Sequence, residues 1–515
     1  MGFLSNIFGR TPAAPTKAPS RKMGRMLPQA AGTGRLEDTW ATFPTTVDAL
    51  IYHHWRTIVT RSREQGENND YARKFLQMVR DNIAGPTGFE LQAKVKDPTG
   101  TPDLLASKAL ETAWDEFSKK GNYEVSGAMS RADVERLLVS TVATDGEAFA
   151  IKVGGSDAGP YGFGMQLMDP ILCNPQHFEK LPNGNHIRHG IEMNAFGRPV
   201  AYYFQEFTEQ QVGYIQYSTA TARRVPADRV VHLFIPEKIG QKRGLPWMRT
   251  ALWKMRMLSG FEDAAITNAR VGAAKMGFFR DPSAEGDNDE PITMDAEAGV
   301  FEDIGNRELV QWNPQFPSGD FAPFVTEMLR SISSGLGVSY NNLASDLTAV
   351  NFSSIRQGAL DEREVWKGLQ NWFISAWCMP VYETWLERAL LSQKVSVNGR
   401  PLKFERLEKY KQVGFQGRRW AWIDPKSEVA AQQIAIAARL TSRSACIRDG
   451  GGDPEDVFEE IAREEVEMER LDIMPIAMPG SPVPTESPAD EGDDDVAPAA
   501  KPKPPAKGKP THKTD

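Results

Sequence analysis

The sequence predicts an α+β fold, and three patterns in its 515 residues lead to that prediction. Apolar residues recur at helical spacing over long segments, above all after Met248 and after Phe352. Short alternating stretches broken by Gly, Pro and Asn fill residues 160–235, which is typical of strands and turns. Apolar residues make up 40% of the chain, enough for a sizeable core. The length indicates about two to four domains.

Both ends of the chain are predicted to be disordered. Residues 1–36 are rich in Pro, Ala and Gly and contain six basic residues and no acidic one. This basic arm, placed at 1–40, either contacts nucleic acid or an acidic partner or acts as a solubilising tail. From Pro475 onward, ten prolines and an acidic cluster predict a disordered tail over 473–515.

The charge and the cysteines narrow the function classes. A net charge of −8 argues against tight wrapping of nucleic acid over the whole surface, because phosphates are neutralised by Lys and Arg. Cys173, Cys378 and Cys446 are far apart and odd in number, so they indicate a reducing compartment rather than a disulfide framework or a zinc cluster. No apolar run reaches the roughly 18 residues of a membrane helix, so we expect a soluble, cytoplasmic chain without a membrane partner.

The first half is predicted to alternate helices, over 47–84, 102–120 and 131–143, with short strands. Asp145 and Glu147 flank a glycine and fit either a metal or acid/base pair or, the favoured interpretation, plain turn chemistry. His186 and His189 would need further ligands to bind a metal, so strand or turn histidines are favoured.

A long helix is predicted over 248–279, followed by an acidic segment. Small residues crowd the second half of the helix and suit close packing against other helices, within the chain or in another subunit. The predicted packing residues are Leu252, Met255, Phe261, Ala265, Ala269, Gly272 and Ala273. Ten acidic residues and one basic residue then lie between Asp281 and Glu308, in a segment predicted to be loop and short strand.

A second helix, over 321–334, ends at a glycine cap and leads through a short loop into a helix over 352–391. Asn351 or Ser353 is expected to cap this long helix, and Pro380 to kink it near Ala376. Its tryptophans are predicted to be core or subunit packing rather than a cofactor site. Strands are predicted over 401–423 and helices over 424–470. No P-loop, nucleophile elbow, zincin or paired-cysteine motif is present, and neither a cofactor nor a metal is predicted.

Several stretches together resemble the lambda-type portal proteins of tailed bacteriophages. They are "VPADRVVHLFIPEKIGQKRGLPWM", "ARVGAAKMGFF" and "GLGVSYNNLASDLTAVNFSSIRQGALDE", with "DGEAF" and "DPKSEVAA", in the expected order and spacing. The resemblance covers about residues 40–470 and is carried by collinearity rather than by one strict motif. The tails and the acidic segment match no pattern of the family.

The resemblance implies a portal fold that forms a ring. Its regions would be a wing (41–247 and 395–423), stem helices (248–280 and 318–338), a clip (281–317), a tunnel loop (339–351), a long kinked helix (352–394) and a crown (424–472). The implied partner-binding acids of the clip are Glu285, Asp287, Asp289, Glu290, Asp295, Glu297, Glu302, Asp303 and Glu308. The implied DNA contacts of the tunnel loop are Ser345, Asp346, Leu347, Thr348, Ala349, Val350 and Asn351.

The family implies a non-enzymatic ring, usually of about twelve copies, at one capsid vertex of the virion, assembled in the host cytoplasm. Implied partners are the terminase large subunit, a head-completion or adaptor protein, the major capsid and scaffold proteins, and double-stranded DNA passing through the channel. The stretch "SDLTAV" has one acid and no Lys or Arg, so it touches passing DNA without holding phosphates. Lys242 and Arg243 fit either contacts with DNA or a neighbouring subunit, or a locally packed turn.

Three alternatives remain open at this point. In the first, the chain is another head–tail adaptor, although adaptors are usually smaller and lack the helix pair around an acidic tip. In the second, it is a nuclease that uses Asp145 and Glu147, and this predicts DNA cleavage that depends on magnesium. In the third, it is a DNA-binding module built on the basic arm, and this predicts that removing residues 1–36 abolishes salt-dependent DNA binding.

Overall fold

A computed structural model describes residues 44–206, 222–273, 277–280, 308–311, 321–348, 351–420 and 425–471. The helices are α1 Val47–Asn68, α2 Asp70–Val79, α3 Leu104–Ser118, α4 Arg131–Asp145, α5 Leu252–Ala273, α6 Phe321–Leu336, α7 Tyr340–Ala344, α8 Phe352–Phe373, α9 Met379–Leu391, α10 Leu407–Tyr410, α11 Pro425–Ala437, α12 Arg443–Gly450 and α13 Pro454–Arg470. The strands are β1 Glu90–Ala93, β2 Glu147–Gly154, β3 Phe163–Met168, β4 Glu179–Lys180, β5 His186–Arg188, β6 Ile191–Met193, β7 Pro199–Gln205, β8 Ala222–Pro226, β9 Val230–Phe234, β10 Gly277–Arg280, β11 Glu308–Gln311, β12 Ser396–Val397, β13 Arg400–Pro401 and β14 Val413–Gln416.

The chain divides into two compact units, Met1–Gly451 and Gly452–Asp515. In the second unit the described structure is α13, an acidic helix whose N-cap, Asp453, accepts a hydrogen bond from the backbone of Glu455. The predicted tails over 1–40 and 473–515 lie outside the described residues. The helical prediction for 424–470 is confirmed by α11, α12 and α13.

The first helical segment is two helices, not one. Asn69 leaves the helical conformation, and its side chain accepts a hydrogen bond from the backbone of Ala72, which starts α2. The segment then ends in a π-turn, Arg80–Ala84. The predicted helices over 102–120 and 131–143 are confirmed as α3 and α4. Gly146, at a φ of 90°, ends α4 at the predicted turn.

The β prediction for 160–235 is confirmed by two antiparallel sheets. One has the order β3-β2-β9 and the other β4-β5-β6-β7-β8. A two-residue turn joins β5 to β6, with positive φ at both His189 and Gly190. The ring of His189 is held on both sides, since its nitrogens lie 2.8 Å from the carbonyl oxygen of Pro175 and 3.2 Å from the carboxylate of Asp48. The histidine therefore fixes a turn.

The main core draws on many elements, and a cluster of large aromatic rings lies in it between α3 and α9. Trp114, Phe117, Tyr382 and Trp385 are buried there and form edge-to-face and stacked ring pairs. Of the tryptophans in the long helix, Trp366, Trp377 and Trp385 are buried, so the core prediction is confirmed for these. At the position of the kink predicted near Ala376 the helix contains one π-helical turn, Ile374–Cys378, which ends two residues before Pro380.

Two element predictions are wrong. The helix expected to reach Phe279 ends at Ala273, and Gly277–Arg280 is a strand paired with Glu308–Gln311. Two adjacent phenylalanines after a glycine favour an extended ladder over another helical turn. The strands expected over 401–423 reduce to β13 and β14, with helical turns over 404–410 between them. β14 pairs with β1, far away in sequence.

Candidate functional site

The loop between α7 and α8 begins with a tight reversal. The structure turns part of the expected 339–351 loop into α7, whose N-cap Ser339 accepts a hydrogen bond from the backbone of Asn342. Ser345 then takes a left-handed conformation, at a φ of 54°, and ends α7. The loop proper is therefore Ser345–Asn351, of which Ala349 and Val350 lie outside the described residues.

Asp346 organises the base of this loop. One carboxylate oxygen accepts hydrogen bonds from the backbone and the hydroxyl of Thr348, at 3.0 and 2.7 Å. The other accepts the hydroxyl of Tyr340, at 2.8 Å. These bonds, first the one from the Thr348 hydroxyl, lower the pKa of Asp346 to about 2. The Tyr340 pKa is raised, chiefly by the same hydrogen bond to Asp346.

Side chains of α6 and α8 contact α7, from which the loop starts. The guanidinium of Arg330 lies over the Tyr340 ring, 5.6 Å from its centroid. Glu362, buried on α8, accepts hydrogen bonds from Asn342 at 2.6 Å and from the indole of Trp366 at 3.3 Å. At the far end of the loop, Asn351 caps α8 by accepting the backbone N–H of Ser354, so this predicted cap is confirmed.

The described part of the loop exposes few binding groups. Leu347 is 61% exposed and Thr348 is exposed, whereas Asp346 is engaged in the hydrogen bonds above. Neither Lys nor Arg occurs between Ser345 and Asn351. The arrangement is a fixed base with an apolar and hydroxyl-bearing rim that offers no cationic side chain to a phosphate.

The helix α5 has two faces. Leu252, Met255 and Ala265 are buried against the chain, and Phe261 stacks on Phe321 of α6, with centroids 5.4 Å apart. Ala269 is exposed. Gly272 and Ala273 lie in the last turn, where the structure describes the helix and not the side-chain surroundings. Thus the first half of the predicted packing set lies together within the chain.

The predicted acidic partner site falls almost entirely outside the described residues. Glu285, Asp287, Asp289, Glu290, Asp295, Glu297, Glu302 and Asp303 belong to the gap between β10 and β11. Glu308 begins β11 opposite Arg280 of β10. The antiparallel pairing therefore brings the two ends of the acidic segment together at its base.

Asp145 and Glu147 are not plain turn residues. Arg63 contacts both oxygens of Asp145, at 2.9 and 2.6 Å, and also reaches Asp169 at 2.6 Å. Burial raises the pKa of Asp145, and the hydrogen bonds from Arg63 offset part of that effect. The Asp145 carboxylate is thus paired with Arg63, and that of Glu147 with Arg243. Because both are engaged within the chain, the basis of the nuclease alternative is removed.

Glu147 lies at the centre of a fully buried network. It accepts Arg243 Nε at 2.6 Å and the backbone N–H of Gly244 at 2.9 Å, and it lies 3.0 Å from His232 Nε2. Burial opposes the charge of Glu147, but Arg243 and His232 outweigh it and lower its pKa to about 2. Burial lowers the pKa of His232.

Arg243 is buried, so of the two alternatives left open for it the locally packed turn is the one that the structure favours. Its guanidinium donates to the carbonyl oxygens of Cys173 and His189, and it lies over the ring of Trp55. Lys242 donates to the carbonyl oxygen of Gly197 at 3.0 Å. Sequence reasoning missed this network. The one trace of it in the sequence is a pair of glycines, Gly146 and Gly244. In the structure their backbones approach so closely that a Cβ on either would clash.

The described residues set two limits. Over those ranges, no group of three or more His, Cys, Asp or Glu side chains is arranged to hold a metal ion. Within the same ranges, no helix has the length and the apolar character needed to cross a membrane.

Comparisons with known proteins point to one family. The family model described as "Phage portal protein, lambda family" matches residues 33–370. A probable portal protein of Halomonas phage phiHAP-1 is 30% identical over 481 residues, covering 89% of this chain and 90% of the relative. Portal protein B of Escherichia phage lambda is 22% identical over 505 residues, covering 87% and 90%. A solved structure described as the neck of a native GTA particle has a TM-score of 0.42 at 13% identity, covering 78% of this chain and 94% of that one.

Proposed function

This chain belongs to the lambda family of phage portal proteins, which are structural proteins and not enzymes, and from that premise we propose that it forms the DNA channel of a capsid. Copies of the chain, about twelve, form a ring at one vertex of the virion after assembly in the host cytoplasm. Double-stranded DNA enters through this ring during packaging and leaves through it on ejection.

The observation that carries the proposal is the geometry of the loop Ser345–Asn351. Hydrogen bonds from Tyr340 and Thr348 to Asp346 hold the base, and α8 anchors the far end through the Asn351 cap. The rim offers Leu347 and no cationic side chain. A channel constriction needs this combination, because it must keep its shape while DNA slides past and must not trap phosphates. We therefore assign the tunnel loop to these residues, including Ala349 and Val350.

A stripe of exposed apolar residues on α5 supports the ring. Trp253 and Met257 are 69% and 45% exposed, and they share a helix face with Gly260 and Ala264, since positions i, i+4, i+7 and i+11 coincide. This face lies away from the buried side of the helix. A second copy of α5 or α6 that packs on it would remove the apolar surface from water, so we assign α5 and α6 to the stem, with Ala269, Gly272 and Ala273 at helix contacts.

The remaining regions follow from this placement. The acids between Glu285 and Glu308 form the clip, which binds the terminase large subunit during packaging and a head-completion or adaptor protein afterward. The sheets and the surrounding helices of 41–247 and 395–423 form the wing, next to the major capsid and scaffold proteins, and the helices of 424–472 form the crown. Twelve copies at a net −8 each give an acidic assembly that attracts DNA weakly at long range.

The first test is the mass and the shape of the purified protein, by native mass spectrometry and negative-stain imaging. A ring of about twelve chains with a central hole is expected. Replacing Trp253 with Glu should prevent the ring, since it puts a charge on the apolar stripe. A compact dimer that cleaves DNA with magnesium would overturn the proposal.

A second test separates the loop from the ring. Shortening Ser345–Val350 should leave assembly intact and impair packaging or retention of DNA, measured in a packaging reaction with purified capsids. A shortened loop that packages DNA like the wild type would contradict the tunnel-loop assignment. Replacing the acids between Glu285 and Glu308 with Ser should weaken binding to terminase or adaptor, and unchanged binding would remove the clip assignment.

A further inference from the structure

A cleft of about 530 Å³ opens between the β12–β13 hairpin and the turn that leads into α10. Three cationic side chains line it, those of Arg400, Lys403 and Arg406. Among the described residues, no acidic side chain belongs to the lining, which is completed by Asn398 and by apolar and aromatic residues. This surface, which we call the cationic cleft, therefore concentrates positive charge in a chain whose net charge is −8.

The three cations of the cleft form no ion pair within the part of the chain that the structure describes. Neighbouring positive charges are treated differently. Lys409 pairs with Asp97 and with Asp103. Lys411 pairs with Glu408. Like charges gathered without counter-charges repel one another, and protein surfaces ordinarily intersperse the two signs. The cationic cleft is thus a place where a negative ligand would relieve a repulsion that the fold itself does not compensate.

The backbone that carries these side chains is fixed. A two-residue turn, Asn398–Gly399, joins β12 to β13, with positive φ at both residues. Beyond the hairpin, the backbone N–H of Leu402 donates to the carbonyl oxygen of Val395 at 2.9 Å. The N–H of Arg406 donates to the carbonyl oxygen of Lys403 at 3.1 Å. A site on an ordered backbone loses less conformational freedom when a ligand binds, so more of the interaction energy is kept.

The lining favours a peptide over nucleic acid. Val397, Pro401 and Leu402 provide apolar surface beside the cations. The phosphates of a DNA duplex are spread along its length, so a duplex needs an extended positive stripe, and it is too broad to enter a cleft of this volume. A peptide that has Asp or Glu next to an apolar side chain uses both features. Its carboxylates accept hydrogen bonds from guanidinium groups, and its apolar side chain covers the apolar part of the lining.

We propose that the cationic cleft binds an acidic peptide segment of a partner protein, with carboxylates on Arg400, Lys403 and Arg406 and an apolar side chain against Leu402. Charge complementarity identifies this occupant, because the cleft offers cations and apolar groups and no acid. All of the lining lies between Val397 and Tyr410, so a single copy of the chain carries the complete site. The inference therefore goes beyond the proposed ring and does not depend on it.

The test is fluorescence anisotropy of the full-length protein with a fluorescein-labelled peptide, Asp-Leu-Glu-Asp-Leu-Glu, at low salt. The double variant Arg400→Gln with Arg406→Gln should bind the peptide at least about tenfold more weakly, since it removes two charge-assisted contacts. The matched control, Arg223→Gln with Arg229→Gln, removes the same charge from exposed arginines outside the cleft and should bind like the wild type. Both variants change exposed side chains, so their urea midpoints should match that of the wild type.

The opposite results are equally clear. A wild-type chain that does not bind the peptide, or an equal loss of binding in both double variants, would overturn the inference. A short DNA duplex that binds more tightly than the peptide, and only when Arg400 and Arg406 are present, would assign the cleft to nucleic acid and also overturn it. Normal rings without peptide binding remove this inference alone, whereas peptide binding by a chain that never forms rings removes the proposed function alone.

Discussion

Glu147 and Asp346 have the same pKa, about 2, in opposite surroundings. Glu147 is fully buried, and Arg243 and His232 hold its charge against the cost of leaving water. Asp346 lies at the surface, and short hydrogen bonds from Thr348 and Tyr340 lower its pKa. The same low pKa therefore has two meanings. At Glu147 it reports a buried interaction between distant parts of the chain, and at Asp346 it reports a local loop geometry.

The largest effect should come from breaking the buried pair. Glu147→Gln leaves Arg243 as an uncompensated buried charge, so we expect a loss of about 3–5 kcal/mol in the free energy of unfolding. Urea unfolding monitored by tryptophan fluorescence measures it. Arg243→Met together with Glu147→Gln removes both charges and should lose less than the single variant. A single variant as stable as the wild type would show that the network contributes nothing to stability.

The dependence of stability on acid pH should distinguish Glu147 from Asp346. The folded-state pKa of Glu147 lies below its ordinary value of 4.5, so its contribution is present above about pH 4.5 and is lost as the pH falls toward 2. The stability difference between wild type and Glu147→Gln should therefore shrink over that window, by roughly 3 kcal/mol in total. Unfolding curves at stepped pH values test this. A difference that stays constant down to pH 2 would contradict the assigned pKa.

The smallest effect on stability should come from Asp346→Asn. Because Asp346 is at the surface, the urea midpoint should be unchanged within error at every pH. The loop itself should loosen, because Asn accepts fewer of the bonds from Thr348 and Tyr340, and thermolysin should cut faster beside Leu347. The tyrosine variant Tyr340→Phe, which removes one bond, serves as the matched control and should lie between. Equal cleavage rates in all three proteins would show that Asp346 does not fix the loop.

The sequence alone predicted the elements that depend on local signals. The capping residue Asn351, the glycine turn at Gly146 and the interruption before Pro380 each follow from the chemistry of a single residue type. The pairing of β1 with β14 and the Glu147–Arg243 contact join residues far apart in the chain. No periodicity reports such contacts, so the sequence left the role of Arg243 open between an outward contact and a locally packed turn.

The candidate site was predicted in the same uneven way. The position of the loop and its lack of cationic residues are visible in the sequence. The bond from Tyr340 to Asp346 is not, because it depends on the left-handed conformation of Ser345, a residue type that rarely adopts it. The end of α5 was missed because the helical spacing continues past Ala273, while the strand ladder with β11 is a nonlocal contact.

The π-turn in the long helix has a consequence for comparing related chains. Leading into it, Trp366, Gln370 and Phe373 are buried at α-helical spacing, and Trp377 within the turn continues that spacing. Continued unchanged, that spacing would bury Thr384 and Arg388, yet Trp385 and Ala389 are the buried residues. The turn absorbs one extra residue, about 100° of rotation, and keeps the apolar face aligned with the core. A relative that lacks one residue between Ile374 and Cys378 should therefore keep the same buried face on an uninterrupted helix. Such a gap in an alignment does not indicate a different core.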